Sequence, residues 1–169
     1  MLCKKLEDAF NEQLSKEFYS AYLYLSMASY LERMNLSGFA NWMRIQFQEE
    51  QFHAMKFFNY TIERGGKVEL KAIEQPPNEW DGTLGVFEAT LAHEIKVTKM
   101  INDLVYLARD ERDNAAEVFL QWFINEQVEE ESTAETIIGN LKLANDSPQA
   151  LFMLDRELGA RVFTPPAGA

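Results

Sequence analysis

Four stretches of this chain, each close to thirty residues long, place apolar side chains at alternating steps of three and four, the repeat of an amphipathic α-helix. Each helix of that length carries an apolar stripe that must be covered from end to end, and packing four side by side covers all of them at once. The first stripe reads Leu6, Phe10, Leu14, Glu17, Ala21, Tyr24, Ala28, Leu31, and the second Phe39, Met43, Gln46, Glu50, His53, Phe57, Tyr60. The third reads Leu84, Phe87, Leu91, Glu94, Thr98, Ile101, Val105, Ala108, and the fourth Ala116, Phe119, Phe123, Gln127, Glu130, Ala134, Ile137, Leu141. Each is apolar except near its middle, where a glutamate stands.

Punctuation between the stretches sets their order in space. The first runs from Lys4 to Arg33, Asn35 stops it, and Ser37 is expected to cap the second. The second continues to Gly65-Gly66, whose glycines supply the stop. The third starts after Asp81 or Thr83 and ends about Arg109; a turn at Asp110–Asp113 leads into the fourth, which ends near Ala144 and has a place to bend at Gly139. Residues 65–81, GGKVELKAIEQPPNEWD, contain Pro76-Pro77 and cannot continue a helix. Extended, such a segment reaches roughly 55 Å, whereas a helix of about 28 residues is roughly 42 Å long. The connector can therefore cross the whole bundle, making helices two and three parallel while the short turns make the flanking pairs antiparallel.

The expected fold class is all-α: one domain over residues 1–169, with the bundle at about 4–144, one long crossover at 65–81 and a short fifth C-terminal helix at about 148–158. Asp146-Ser147-Pro148 offers an N-cap and a proline at the first helical position. Leu151, Leu154 and Leu158 share one face of that helix, and Thr164-Pro165-Pro166 ends the ordered chain.

Composition excludes some functions. The chain has 27 acidic against 16 basic residues and a net charge of −11, which repels nucleic-acid phosphates and suits cations. Its one cysteine, Cys3, cannot form an internal disulfide, as expected in a reducing compartment. The start, MLCKKLEDAF, lacks the apolar stretch of a signal peptide, and no run approaches the ~20 apolar residues that span a bilayer. A cytoplasmic protein without nucleic-acid or membrane partners is expected.

Glu17, Glu50 and Glu94 fall at the midpoints of their helices and Glu130 just past its own. In a bundle the midpoints share one height, so four carboxylates, His53 and Gln127 should meet in one layer. An isolated buried carboxylate costs several kcal/mol, and four repel one another as well. Raised pKa values relieve one or two of them; divalent cations relieve all. Glu50 and His53, three residues apart, can reach one ion from the same helix face. Four carboxylates and one imidazole make a hard site with room for two ions, which suits iron or manganese, or zinc as an opportunist, and not a structural zinc site. Where a symmetric di-iron site would have a second Glu-x-x-His, this chain has Gln127-x-x-Glu130, so the second ion should be held less tightly.

With those residues in place, the chain resembles the non-haem ferritins of bacteria and archaea. The resemblance spans nearly its whole length, through SAYLYLSMASY, GFANWMRIQFQEEQFHAMKFFNYTIERGG, QPPNEW, AHE and FLQWFINEQVEEE. It implies a ferritin-like bundle and a ferroxidase centre where paired Fe(II) ions are oxidised by O2 or H2O2, with the mineral stored in a hollow homo-oligomer of 24 subunits. It matches Glu17, Glu50 and His53 to the first iron, and Glu50 as bridge, Glu94 and Glu130 to the second, with Gln127 beside it. Glu49, Glu126 and Glu129, with Glu130 shared, match a third iron position. Tyr24 matches a hydrogen-bonding partner and electron donor near the metals, Trp122 is mainly packing, and His93 is a boundary histidine. The haem-carrying relatives place a methionine directly after the glutamate of Glu-x-x-His; here that residue is Gln51, so no haem is expected. A substrate-oxidising di-iron enzyme uses the same bundle but usually keeps both histidines.

Overall fold

The computed structural model describes residues 1–145 and 147–165. Five helices follow in order: α1 (Lys4–Arg33), α2 (Ser37–Glu63), α3 (Gly82–Asp110), α4 (Asn114–Ala144) and α5 (Pro148–Leu158). The expected stops are where the chain needs them. Asn35 and Gly65 both have positive φ, 58° and 72°, which turns the chain out of α1 and α2. Asp113 caps α4 by accepting from the Ala116 amide at 3.0 Å. Helix α4 runs unbroken through Gly139. The expected caps at Asp146 and the terminal Pro166 lie outside the described residues; Pro148 does open α5.

One cap differs from expectation. Ser37 is already the first residue of α2, and no side chain nearby caps that helix. Its amides are instead capped from α5: Asp155 Oδ1 accepts from Gly38 N at 2.8 Å and Phe39 N at 3.0 Å. Glycine at position 38 makes this approach feasible, because a Cβ there would lie 1.6 Å from the Asp155 carbonyl oxygen. Leu151, Leu154 and Leu158 then lie against the core, as their spacing predicts.

Contacts fix the helix directions. Tyr24 meets Glu94 and Lys5 meets Glu111, so α1 and α3 are antiparallel. Phe39 packs on Phe87, both early in their helices, so α2 and α3 run parallel. The crossover makes this arrangement by climbing along α1. Lys67 N donates to Glu7, Glu69 N to Asn11, Ser26 to the Pro77 carbonyl, and Tyr30 to the Trp80 carbonyl. These backbone groups thus find partners on α1 without helix or sheet.

The apolar core is two clusters. One gathers Leu23, Met27, Leu31, Phe39, Met43, Phe87 and Leu141; the other gathers Leu6, Phe10, Leu14, Phe57, Ile101, Leu120 and Phe123. The layer that separates them is polar, made of Glu17, Gln46, Glu50, His53, Glu94 and Gln127, all buried.

Candidate metal centre

Each helix delivers its polar residue to this layer because the stripe that carries it is buried above and below. Glu17, Glu50 and His53 come closest, with one ligand atom from each lying within 4.8 Å of the others. None of the three is more than 4% exposed. His53 Nδ1 lies 3.5 Å from Glu50 Oε2, too far for a firm hydrogen bond. Among the described residues that oxygen has no hydrogen-bond partner. A buried, unpartnered carboxylate oxygen is costly unless something positive completes it.

The rest of the layer is tied together by hydrogen bonds. Tyr24 donates its phenol to Glu94 Oε1. Gln127 Nε2 donates to Glu94 Oε2 at 3.0 Å and to Thr98 Oγ1 at 3.3 Å. Gln127 thus steadies Glu94 with its amide hydrogens. Gln46 Nε2 donates to Glu130 Oε2 at 2.8 Å, and Gln13 Nε2 to Glu17 Oε1 at 2.8 Å. Gln13 and Gln46 each stand four residues before a glutamate of the layer, a spacing that puts them on the same face. That signal is readable in the sequence, although neither residue is among the expected site residues.

Electrostatics follow from this crowding. Burial pushes the Glu17 carboxyl well above the usual range, and the charge on Glu50 adds to it. Burial also raises Glu50 strongly, with Glu94 and Glu130 adding repulsion. Glu130, only partly buried, rises to about 8 through desolvation first and Glu94 second. The Tyr24 phenol is pushed up by burial and by the carboxylates around it. Without a cation, the layer must hold protons that a cation would displace.

The residues expected at a third ion are less tightly gathered. Glu49 is partly buried beside Glu50, and burial raises its carboxyl even though Arg161 pulls the other way. Arg161 Nη2 lies 2.7 Å from Glu49 Oε2, a contact with no counterpart in the sequence reading. Glu126 is partly buried and Glu129 exposed on α4. Trp122 stacks edge-on to His53, with centroids 5.3 Å apart, and carries Lys56 4.3 Å from its ring. His93 points away and meets Ser20 Oγ at 2.8 Å. A cleft of about 410 Å³ between α3 and α4 reaches Gln127 and Thr98 from outside, with Glu131 and Glu135 in its wall.

Comparison with known proteins decides the family. Residues 7–144 match the Ferritin-like domain family. The chain belongs to the ferritin family of iron-storage proteins. It is 45% identical over 161 residues to the bacterial non-heme ferritin of Bacteroides fragilis (strain 638R), covering 95% of this chain and all of that one. The bacterial non-heme ferritin of Staphylococcus aureus (strain USA300) is 40% identical over 163 residues, 96% of this chain and 98% of the relative. Among solved structures, a closed form of the Archaeoglobus fulgidus ferritin made by site-directed mutagenesis superposes with a TM-score of 0.96 at 51% identity, covering 97% of this chain and all of that one. The open-pore ferritin of the same archaeon gives 0.95 at 51% identity, covering 96% and 100%. The polar layer of this ferritin therefore sits in a fold whose family stores iron, and no described helix is long and apolar enough to cross a membrane.

Proposed function

We propose that the polar layer is a ferroxidase centre, where Fe(II) is bound in pairs and oxidised by O2 or H2O2 before storage as ferric mineral within a cage of 24 identical subunits. The observation that carries this reading is Glu50 Oε2: a buried carboxylate oxygen with no hydrogen-bond partner among the described residues, on a side chain that clusters with Glu17 and His53 and feels the charge of Glu94 and Glu130. A bridging position between two cations would complete it. Glu17, Glu50 and His53 hold the first Fe(II), while Glu50, Glu94 and Glu130 hold the second, with Gln127 beside it. The amide of Gln127 is a weak ligand, so the second ion is bound less firmly and leaves more readily after oxidation. Tyr24, donating to Glu94, keeps that carboxylate in place and stands close enough to supply an electron.

The acidic character of the chain supports cation uptake, since an assembly of such subunits attracts Fe(II) electrostatically. A cytoplasmic location fits the single cysteine, which cannot form an internal disulfide.

The test is to add excess Fe(II) in air and run size exclusion while recording protein and ferric absorbance together. Iron eluting with protein as one large assembly supports storage. Iron precipitating while the protein runs as monomer or dimer overturns it.

A further inference from the structure

After α5, residues 159–161 run back along the first half of α2, where Asn41 Nδ2 donates to the Arg161 carbonyl at 3.0 Å. The segment brings the Arg161 guanidinium to three partners. Nη2 meets Glu49 Oε2 at 2.7 Å, Nη1 donates to Gln46 Oε1 at 2.5 Å, and the guanidinium carbon lies 4.7 Å from the Trp42 ring centroid. A guanidinium has five donors and no acceptor, so Gln46 must present its oxygen to Arg161. Its NH2 is thereby aimed the other way, at Glu130 Oε2, 2.8 Å distant. A residue beyond the last helix thus sets which end of a buried amide faces the polar layer.

Glu130 is the residue that the ferroxidase centre would share with a third ion, and Glu49 is one of that ion's other candidate ligands. We propose that Arg161 is an internal counter-cation for that third position: it neutralises Glu49 in the metal-free protein and competes with the third Fe(II). A third ion cannot share Glu49 Oε2 with a guanidinium 2.7 Å away without strong like-charge repulsion. Arg161 must release Glu49 first, so the third ion binds last and most weakly. This rests on reading the layer as a ferroxidase centre.

The test counts Fe(II) bound per subunit by anaerobic equilibrium dialysis of the assembled protein, comparing wild type with Arg161→Gln, Arg161→Lys, Glu49→Gln and the Arg161→Gln/Glu49→Gln pair. Arg161 is partly exposed and lies outside the bundle helices, so the bundle does not depend on its charge to fold. Arg161→Gln should tighten the third equivalent about tenfold, the size of one charge-assisted hydrogen bond lost as competitor. Affinity for the first equivalent should not change. Arg161→Lys should return the third equivalent to its wild-type affinity, and the gain from Arg161→Gln should vanish when Glu49 is also replaced. A structural role alone would not produce that dependence on Glu49. Third-ion affinity that is unchanged or weaker in Arg161→Gln overturns the proposal, as does binding of two ions and no more in every variant, which leaves the paired centre standing. Wild-type protein that fails to bind even the first two overturns the ferroxidase reading itself.

Discussion

Replacing Glu50 with glutamine should make the metal-free protein more stable and the iron chemistry worse. Glu50 is 2% exposed, and its Oε2 accepts no hydrogen bond. Leaving a buried acceptor unpaired costs about 1–3 kcal/mol. Glutamine has the same shape, carries no charge toward Glu94 and Glu130, and brings a donor to a site rich in acceptors. The metal-free Glu50→Gln variant should therefore gain about 1–3 kcal/mol in mildly alkaline buffer, raising its unfolding midpoint by about 2–10 °C for a chain of this size. With Fe(II) the order reverses, because the bridging carboxylate is gone: oxidation should slow about 100-fold or more. Scanning calorimetry after chelation measures the first effect, and stopped-flow ferric absorbance under air measures the second. A metal-free variant less stable than wild type, still oxidising Fe(II) at the wild-type rate, would refute the argument that this carboxylate is buried for the sake of a cation.

Proton linkage gives a second expectation. Burial holds the carboxyls of Glu17, Glu50 and Glu130 above the ordinary glutamate range, Glu130 at about 8. A carboxyl raised by folding stabilises the metal-free fold fully below its unfolded value, and this contribution fades as pH climbs through the folded value. Thermal stability of chelated protein should thus fall between pH 4.5 and about 8, with a flatter profile once Fe(II) is bound. Anaerobic Fe(II) addition in weak buffer near neutrality should release protons, read as a drop in pH; an absent drop would mean the layer is already ionised. Tyr24→Phe removes the donor to Glu94 Oε1 and should slow oxidation while α-helical circular dichroism is unchanged. Asp155→Ala strips two amide partners from α2 and should cost about 1–2 kcal/mol, seen as a lower denaturation midpoint. Gly38→Ala, which would drive a methyl into the Asp155 carbonyl, should detach α5 and expose segment 148–165 to limited proteolysis.

Helix periodicity is local, and it made much of this protein legible from its residues. A step of three or four residues assigns a side chain to a helix face wherever the partner lies, so Glu17, Glu50, His53, Glu94 and Gln127 could be put in the core before any contact was known. The proline pair and the length of residues 65–81 were enough to infer a crossover, because reach is set by chain geometry alone. What the period cannot encode is which distant segment covers a given spot. The cap of α2 comes from Asp155, 117 residues beyond Gly38, and the partner of Glu49 is Arg161, 112 residues away. Ser37 looked like the cap because it stands at the right local position, but α5 docks close enough over Gly38 for a carboxylate to reach the same amides. Likewise, the sequence presents Gln46 and Gln127 as amides on the buried stripe; only packing decides which end of each amide faces which neighbour. The location of the polar layer was written in the repeat, whereas its hydrogen bonds and counter-charge depend on side chains that meet only when the chain has folded.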